Sequence, residues 1–231
     1  MAFQGYTQET VDFMWGIRFN NERGWFLEHK DDYINTFLTP TRELGEQVYD
    51  AVHALLPDEP LMLKVSRIYR DARRLFGRGP YKDHLWWCIR TGDKDWTGRP
   101  TFWFELGPDY YSFGLGFWSP AAALMETYRK QIDAHPEELS KLVRQFNRQS
   151  VFTLDGPEYA RSKGQTSDLL RSWYQKKSLS LRWEGPLDER IFTSALAEDV
   201  IAGFKTLIPF YHYFNKLVAL TPRQERRGEE A

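Results

Sequence analysis

Over the first quarter of the chain, apolar residues recur every three or four positions, which predicts helices. Thr7 caps the first, in which Val11, Trp15 and Phe19 share a face and Asn20 and Asn21 close the end. Asn21 also caps a second helix, Glu22 to Phe37, whose apolar side carries Trp25, Phe26, Tyr33 and Phe37. Pro40 opens a third through Leu44, Val48, Val52 and Leu55, stopping before Pro57.

From Leu61 the period falls to two. Leu61, Leu63, Val65, Arg67 and Tyr69 alternate with Met62, Lys64, Ser66, Ile68 and Arg70, predicting a strand that leaves as a loop at Gly77 to Pro80. A tryptophan-rich strand follows over His84 to Arg90, and Thr101 to Leu106 and Tyr110 to Trp118 flank Gly107-Pro108-Asp109 as a hairpin. In the hairpin's second strand Tyr111, Phe113, Leu115 and Phe117 fall on one face. Tyr110, Ser112, Gly114 and Gly116 fall on the other, where the glycines let a backbone or a ligand come close.

The second half reads as helices Pro120 to Asp133 and Pro136 to Phe146, a short strand Phe152 to Leu154, and a loop from Gly156 to Thr166. A helix Asp168 to Lys176, a last strand Ser178 to Trp183 and a long helix Leu187 to Val218 with a kink near Pro209 complete it. Helices before and after a run of strands predict a single α+β domain over residues 1–220, with a mainly antiparallel sheet. A charged C-terminal tail occupies 221–231.

Composition narrows the function classes. At 231 residues, 42% hydrophobic and 27% charged, the chain can bury a substantial core, and nine tryptophans make core and pocket ring-rich. A single cysteine, Cys88, excludes an internal disulfide and reads as a buried filler. The five histidines have no metal-binding spacing, and neither a phosphate-binding P-loop nor a dinucleotide fingerprint occurs, so no metal and no cofactor is expected. The N-terminus has no signal-peptide pattern and no apolar stretch reaches membrane length, which points to the cytoplasm. Near-neutral overall charge argues against a whole-protein nucleic-acid binder.

The charge is nevertheless segregated. Lys64 to His84 holds seven basic residues against Asp71 and Asp83, in a chain of net charge -1. Such a segment is a solvated loop or an anion site, because an unpaired buried charge costs several kcal/mol. On a strand, Arg67 and Arg73 would share a face with Asp71, forming a guanidinium fork suited to phosphate or carboxylate. Gly77, Gly79 and Pro80 would add a turn exposing backbone N–H groups. The competing reading is internal ion pairing by Arg70 and Asp71, with Arg74 and Arg78 solvated.

These residues carry a resemblance. Arg67, Arg70, Asp71 and Arg73, followed by Pro80, Tyr81, Lys82 and His84, resemble the Arg-x-x-Arg-Asp-x-Arg motif of a bacterial family catalogued as domain of unknown function 2461. The Asn20 to Phe26 stretch, the Tyr110 to Gly116 strand and the last helix are similar to it as well. The sequence departs from the pattern at Arg74, Leu75, Gly77 and Arg78. The resemblance implies a site and carries no activity.

The expected ligand site is therefore Arg67, Arg70, Asp71, Arg73, Arg78, Tyr81 and Lys82, taking a small phosphate- or carboxylate-bearing ligand. Two alternatives stand beside it. One is an enzyme acting on that ligand with His84 or Asp71 in proton transfer. The other is an interaction module for an acidic partner or, less favoured, nucleic acid, with Trp86, Trp87, Tyr69 and Tyr81 stacking bases; core packing explains the same rings. Arg171, Trp173, Tyr174, Lys176 and Lys177 form a second basic and aromatic group.

Overall fold

The computed structural model describes residues 2–75 and 77–222; the charged tail expected at 221–231 lies, from residue 223 onward, outside them. Helix α1 (Gln8–Phe19) leads through Asn20 into α2 (Arg23–Glu28), α3 (Lys30–Asp32), a π-helical stretch (Tyr33–Leu38) and α4 (Thr39–Leu55). The helix expected from Glu22 to Phe37 is thus interrupted. At His29 the Trp25 carbonyl meets both the His29 N–H (3.1 Å) and its Nδ1 (2.9 Å), and the imidazole stacks on the Trp25 indole.

Pro40 stands in the first turn of α4, as expected, although the helical backbone runs into it from the π-helical stretch without a break. It lacks the N–H that would bond the Thr36 carbonyl, and the Thr10 hydroxyl donates to that carbonyl instead, at 2.6 Å. The wide turn before Pro40 lets the chain run on into α4.

Six antiparallel strands form one sheet: β1 (Leu61–Val65), β2 (Leu85–Thr91), β3 (Pro100–Leu106), β4 (Tyr110–Phe117), β5 (Thr153–Asp155) and β6 (Ser180–Pro186), in the order β1-β2-β3-β4-β6-β5. The antiparallel sheet with helices at both ends of the chain is the architecture the periodicity predicts. Helices α5 (Ala122–Ala134) and α6 (Pro136–Phe146) separate β4 from β5, and the one-turn α7 (Arg171–Tyr174) precedes β6. The expected Asp168 to Lys176 helix ends early because Tyr159 N–H bonds Gln175 O and Lys177 N–H bonds Pro157 O, drawing the chain into a bridge. The last helix starts later than Leu187: Asp188 first caps a 3₁₀ turn through the Arg190 N–H, and α8 covers Ala195–Leu220 with Pro209 inside it.

Register fixes the two faces of the sheet. Leu63, Ile89, Phe102, Leu115 and Leu181 share one face, as do Trp87, Phe104, Phe113 and Trp183, against which α4 and α8 pack. Phe204 of α8 touches Trp87, Phe102 and Phe113. The opposite face carries Lys64, Cys88, Trp103, Gly114 and Arg182 in one row and Trp86, Glu105, Ser112 and Glu184 in the next. The glycines on β4 admit a backbone: a Cβ at Gly114 would lie 2.1 Å from Leu181 O of β6.

Candidate functional site: a tryptophan-walled cleft beside the arginine segment

The strand expected to run to Arg70 stops at Val65. Ser66 takes over there, its N–H donating to Trp86 O (2.8 Å) and its hydroxyl accepting from Trp86 N–H (3.0 Å), so a side chain replaces a backbone carbonyl in the ladder. Pairing resumes irregularly: Arg70 N–H bonds Pro80 O, Lys82 N–H bonds Ile68 O, and Tyr69 faces Tyr81. Arg67 and Arg73 consequently do not share a strand face. Arg73 lies in a 3₁₀ turn (Ala72–Arg74) and returns its guanidinium to Asp71, at 3.0 and 2.8 Å.

Arg70 faces inward. Its Nε donates to Tyr81 O (2.8 Å) and its Nη2 lies 3.9 Å from Asp83. Asp83 also accepts from Arg18 Nε (2.7 Å) and pairs with His84 Nδ1 (3.0 Å), and Arg18 reaches Asp109. The bonds from His84 and Arg18 hold the Asp83 carboxyl well below the usual carboxylate range. Tyr81 is buried against Phe26, and its backbone N–H and C=O both bond the Asn21 carboxamide at 2.9 Å. Arg67 and Arg78 are exposed.

Lys82 turns the other way, onto the sheet face that bears Trp86. Its ammonium lies 5.6 Å from the centre of the Trp86 ring and feels Glu105 across β2 and β3. Burial, reinforced by repulsion from Arg70 and Arg67, brings it down to about 8 despite the attraction of Glu105.

A cavity of about 490 Å³ opens on this face. Its walls are Trp86, Trp96, Trp103 and Trp118, and polar groups from Ser112, Glu105, Asp155 and Arg182 line it. Trp118 touches both Trp86 and Trp96 and is 72% exposed. Three of the four indoles carry an internal cation: Lys82 on Trp86, Arg90 at 4.6 Å on Trp96, and Arg182 at 5.8 Å on Trp103.

Two buried donors in the lining lack a hydrogen-bond partner among the described residues. Ser112, 1% exposed, makes no side-chain hydrogen bond, and Arg182 pairs with Glu184 and Asp155 while its Nε makes none. Glu105 accepts the Tyr110 hydroxyl, and that phenol is pushed up by burial and by the carboxylate. Cys88 sits in the floor, its thiol raised by burial to about 11, which keeps it protonated and inert.

Of the residues expected at a site, Arg70 and Tyr81 therefore join the strand-loop to α1 and Asn21, with Asp83 as the shared partner of Arg70, Arg18 and His84, and Lys82 contacts a wall of the cleft at Trp86. Trp173 packs between Phe146 and Phe210, and Lys176 bonds Gly156 O and Glu158, so the second basic and aromatic group does not line this cleft. The cleft itself escapes sequence reasoning, since its tryptophans come from four separate stretches. The available signal was strand parity: Trp86, Cys88, Trp103, Glu105 and Ser112 all fall opposite the apolar face. Among the described residues, no group of three His, Cys, Asp or Glu side chains could hold a metal, and no helix is long and apolar enough to cross a membrane.

Fold and site define a helix-and-sheet protein whose antiparallel sheet is packed by helices on one face and hollowed by a tryptophan-walled cleft on the other. The chain belongs to the family described as Conserved hypothetical protein (DUF2461), whose model matches residues 9–213. No curated protein matches the sequence.

Proposed function

We propose that the protein binds a small anionic ligand, phosphate- or carboxylate-bearing, in the tryptophan-walled cleft, with the arginine strand-loop contributing Lys82 and Arg67 at its mouth. The observation that carries this reading is the Ser112 hydroxyl, buried in the same lining as Arg182 Nε, both without a hydrogen-bond partner among the described residues. A buried donor without an acceptor costs about 1–3 kcal/mol, which an acceptor-rich ligand recovers. A cationic ligand fits less well, because Lys82, Arg90 and Arg182 already occupy faces of the indoles. The cavity volume is that of an ordinary small-molecule site.

A thermal-shift screen against nucleotides, sugar phosphates and carboxylates tests the proposal, with Ser112→Ala as control. A ligand at about a hundred times its dissociation constant stabilises by roughly 2.7 kcal/mol, a rise of about 5–10 °C at this chain length. Removing the unpartnered Ser112 hydroxyl leaves the unliganded melting temperature unchanged or raises it, yet shrinks the ligand-induced rise. A shift of equal size in both proteins would place the ligand elsewhere.

A further inference from the structure

We infer that the ligand is a phosphorylated ring compound, its ring held between the tryptophan walls and its phosphoryl group seated at the mouth on Lys82 and Arg67. The inference rests on the binding reading above and assigns the two ends of the same site.

The polarity of the sheet face supports the division. Lys64, Lys82 and Arg90 stand on or beside β1 and β2, whereas at β5 and β6 Asp155 and Glu184 outnumber Arg182, which pairs with both. At the Trp86 end Lys82 lies over the indole, Arg67 falls between Ser66, which bonds Trp86 O, and Ile68, whose carbonyl accepts from the Lys82 N–H, and both Arg67 and Arg70 are within electrostatic reach of Lys82. Tyr81 O and Asp83 hold Arg70 inward, so it adds field, while Lys82 and exposed Arg67 supply donors that have no hydrogen-bond partner among the described residues.

Like charges gathered at one point are relieved most by a dianion, and a phosphoryl group carries nearly two negative charges and three acceptor oxygens. Glu105 tempers this charge but already accepts the Tyr110 hydroxyl. Inside the cleft, Ser112 and Arg182 Nε offer donors while Asp155 accepts, which suits a ring with both hydrogen-bonding senses. A nucleoside base and a sugar both meet that description, and the test separates them.

Tryptophan fluorescence titrations of the full chain compare adenosine 5′-phosphate with adenosine, glucose 6-phosphate with glucose, and benzoate and inorganic phosphate alone. In one of the two ring series the phosphorylated member binds at least about tenfold tighter than its parent, the worth of one charge-assisted contact. Lys82→Met abolishes that ratio; Arg67→Ala, at an exposed position, lowers it about threefold.

A ring compound or benzoate that binds with no phosphoryl advantage, or a ratio that survives both substitutions, would overturn the inference and leave the binding reading standing. Inorganic phosphate binding as tightly as the phosphorylated ring would also overturn it. No binding by any probe would overturn both.

Discussion

Lys82 and Trp86 form a cation–π pair, with 5.6 Å from ammonium to ring centre, at the point where the arginine strand-loop meets the cleft. Since burial and neighbouring cations bring Lys82 down to about 8, its charge is lost within an accessible pH range. An anion at the mouth favours the protonated amine, so binding takes up protons and weakens as pH rises through about 8. Calorimetric titrations in buffers of different ionisation enthalpy should show that uptake near pH 8 and lose it in Lys82→Met. Affinity that stays flat from pH 7 to 9 would remove Lys82 from the contact.

Asp83 contributes to the acid side of the stability curve. Its carboxyl is depressed in the folded chain, so between that depressed value and the ordinary range near 4 the unfolded chain binds more protons. Stability therefore rises with pH through that window and is lost as pH falls through it. Urea unfolding at a series of pH values should show this slope, and Asp83→Asn should flatten it while lowering stability at pH 7, because Arg18 and Arg70 lose their partner. An unchanged slope would show that other carboxylates govern acid unfolding.

The Asn21 carboxamide makes to Tyr81 the two backbone bonds that a neighbouring strand would make. Asn21→Ala removes both bonds to the Tyr81 backbone and should cost about 1–3 kcal/mol. Gly79→Ala should cost a similar amount, since its Cβ would lie 2.1 Å from Asn21 Oδ1. The two are coupled: once Asn21 is alanine the obstruction is gone, so the double variant should be more stable than additivity predicts by about 0.5–3 kcal/mol. Strict additivity would mean that Gly79 is required for its backbone alone.

The sheet was legible where one face is apolar and the other is not. Tyr111, Phe113, Leu115 and Phe117 gave the core face of β4, and Gly107-Pro108-Asp109 the hairpin, because alternation and turn chemistry are local. What escaped depends on contacts distant in the chain. Ser66 ends β1 by bonding Trp86, twenty residues away, and Thr10 bonds the carbonyl that Pro40 leaves free. Trp86 and Trp87 illustrate the limit for the site: adjacent indoles of equal hydrophobicity lie on opposite faces, one in the cleft wall and one fully buried beneath α8. The arginine motif lies beside the cleft, and the division between inward Arg70 and Lys82 on Trp86 follows from the irregular pairing after Val65.

Trp118 is the large apolar side chain of the cleft that stays most open to water, and a ligand seated beneath it should cover it. Binding should shift the fluorescence emission to shorter wavelength, and Trp118→Phe should remove most of that shift while weakening binding by no more than about tenfold, the scale of a single stacking contact. A full shift in the variant would mean that Trp118 remains exposed in the complex.

The most direct measurement is a titration followed through the indole N–H resonances of the nine tryptophans, using the tightest phosphorylated ring compound from the fluorescence series. The account predicts that Trp86, Trp96, Trp103 and Trp118 move, while Trp15, Trp25, Trp173 and Trp183 hold still. Shifts confined to Trp173 or Trp183, on the helix-packed side, would contradict it.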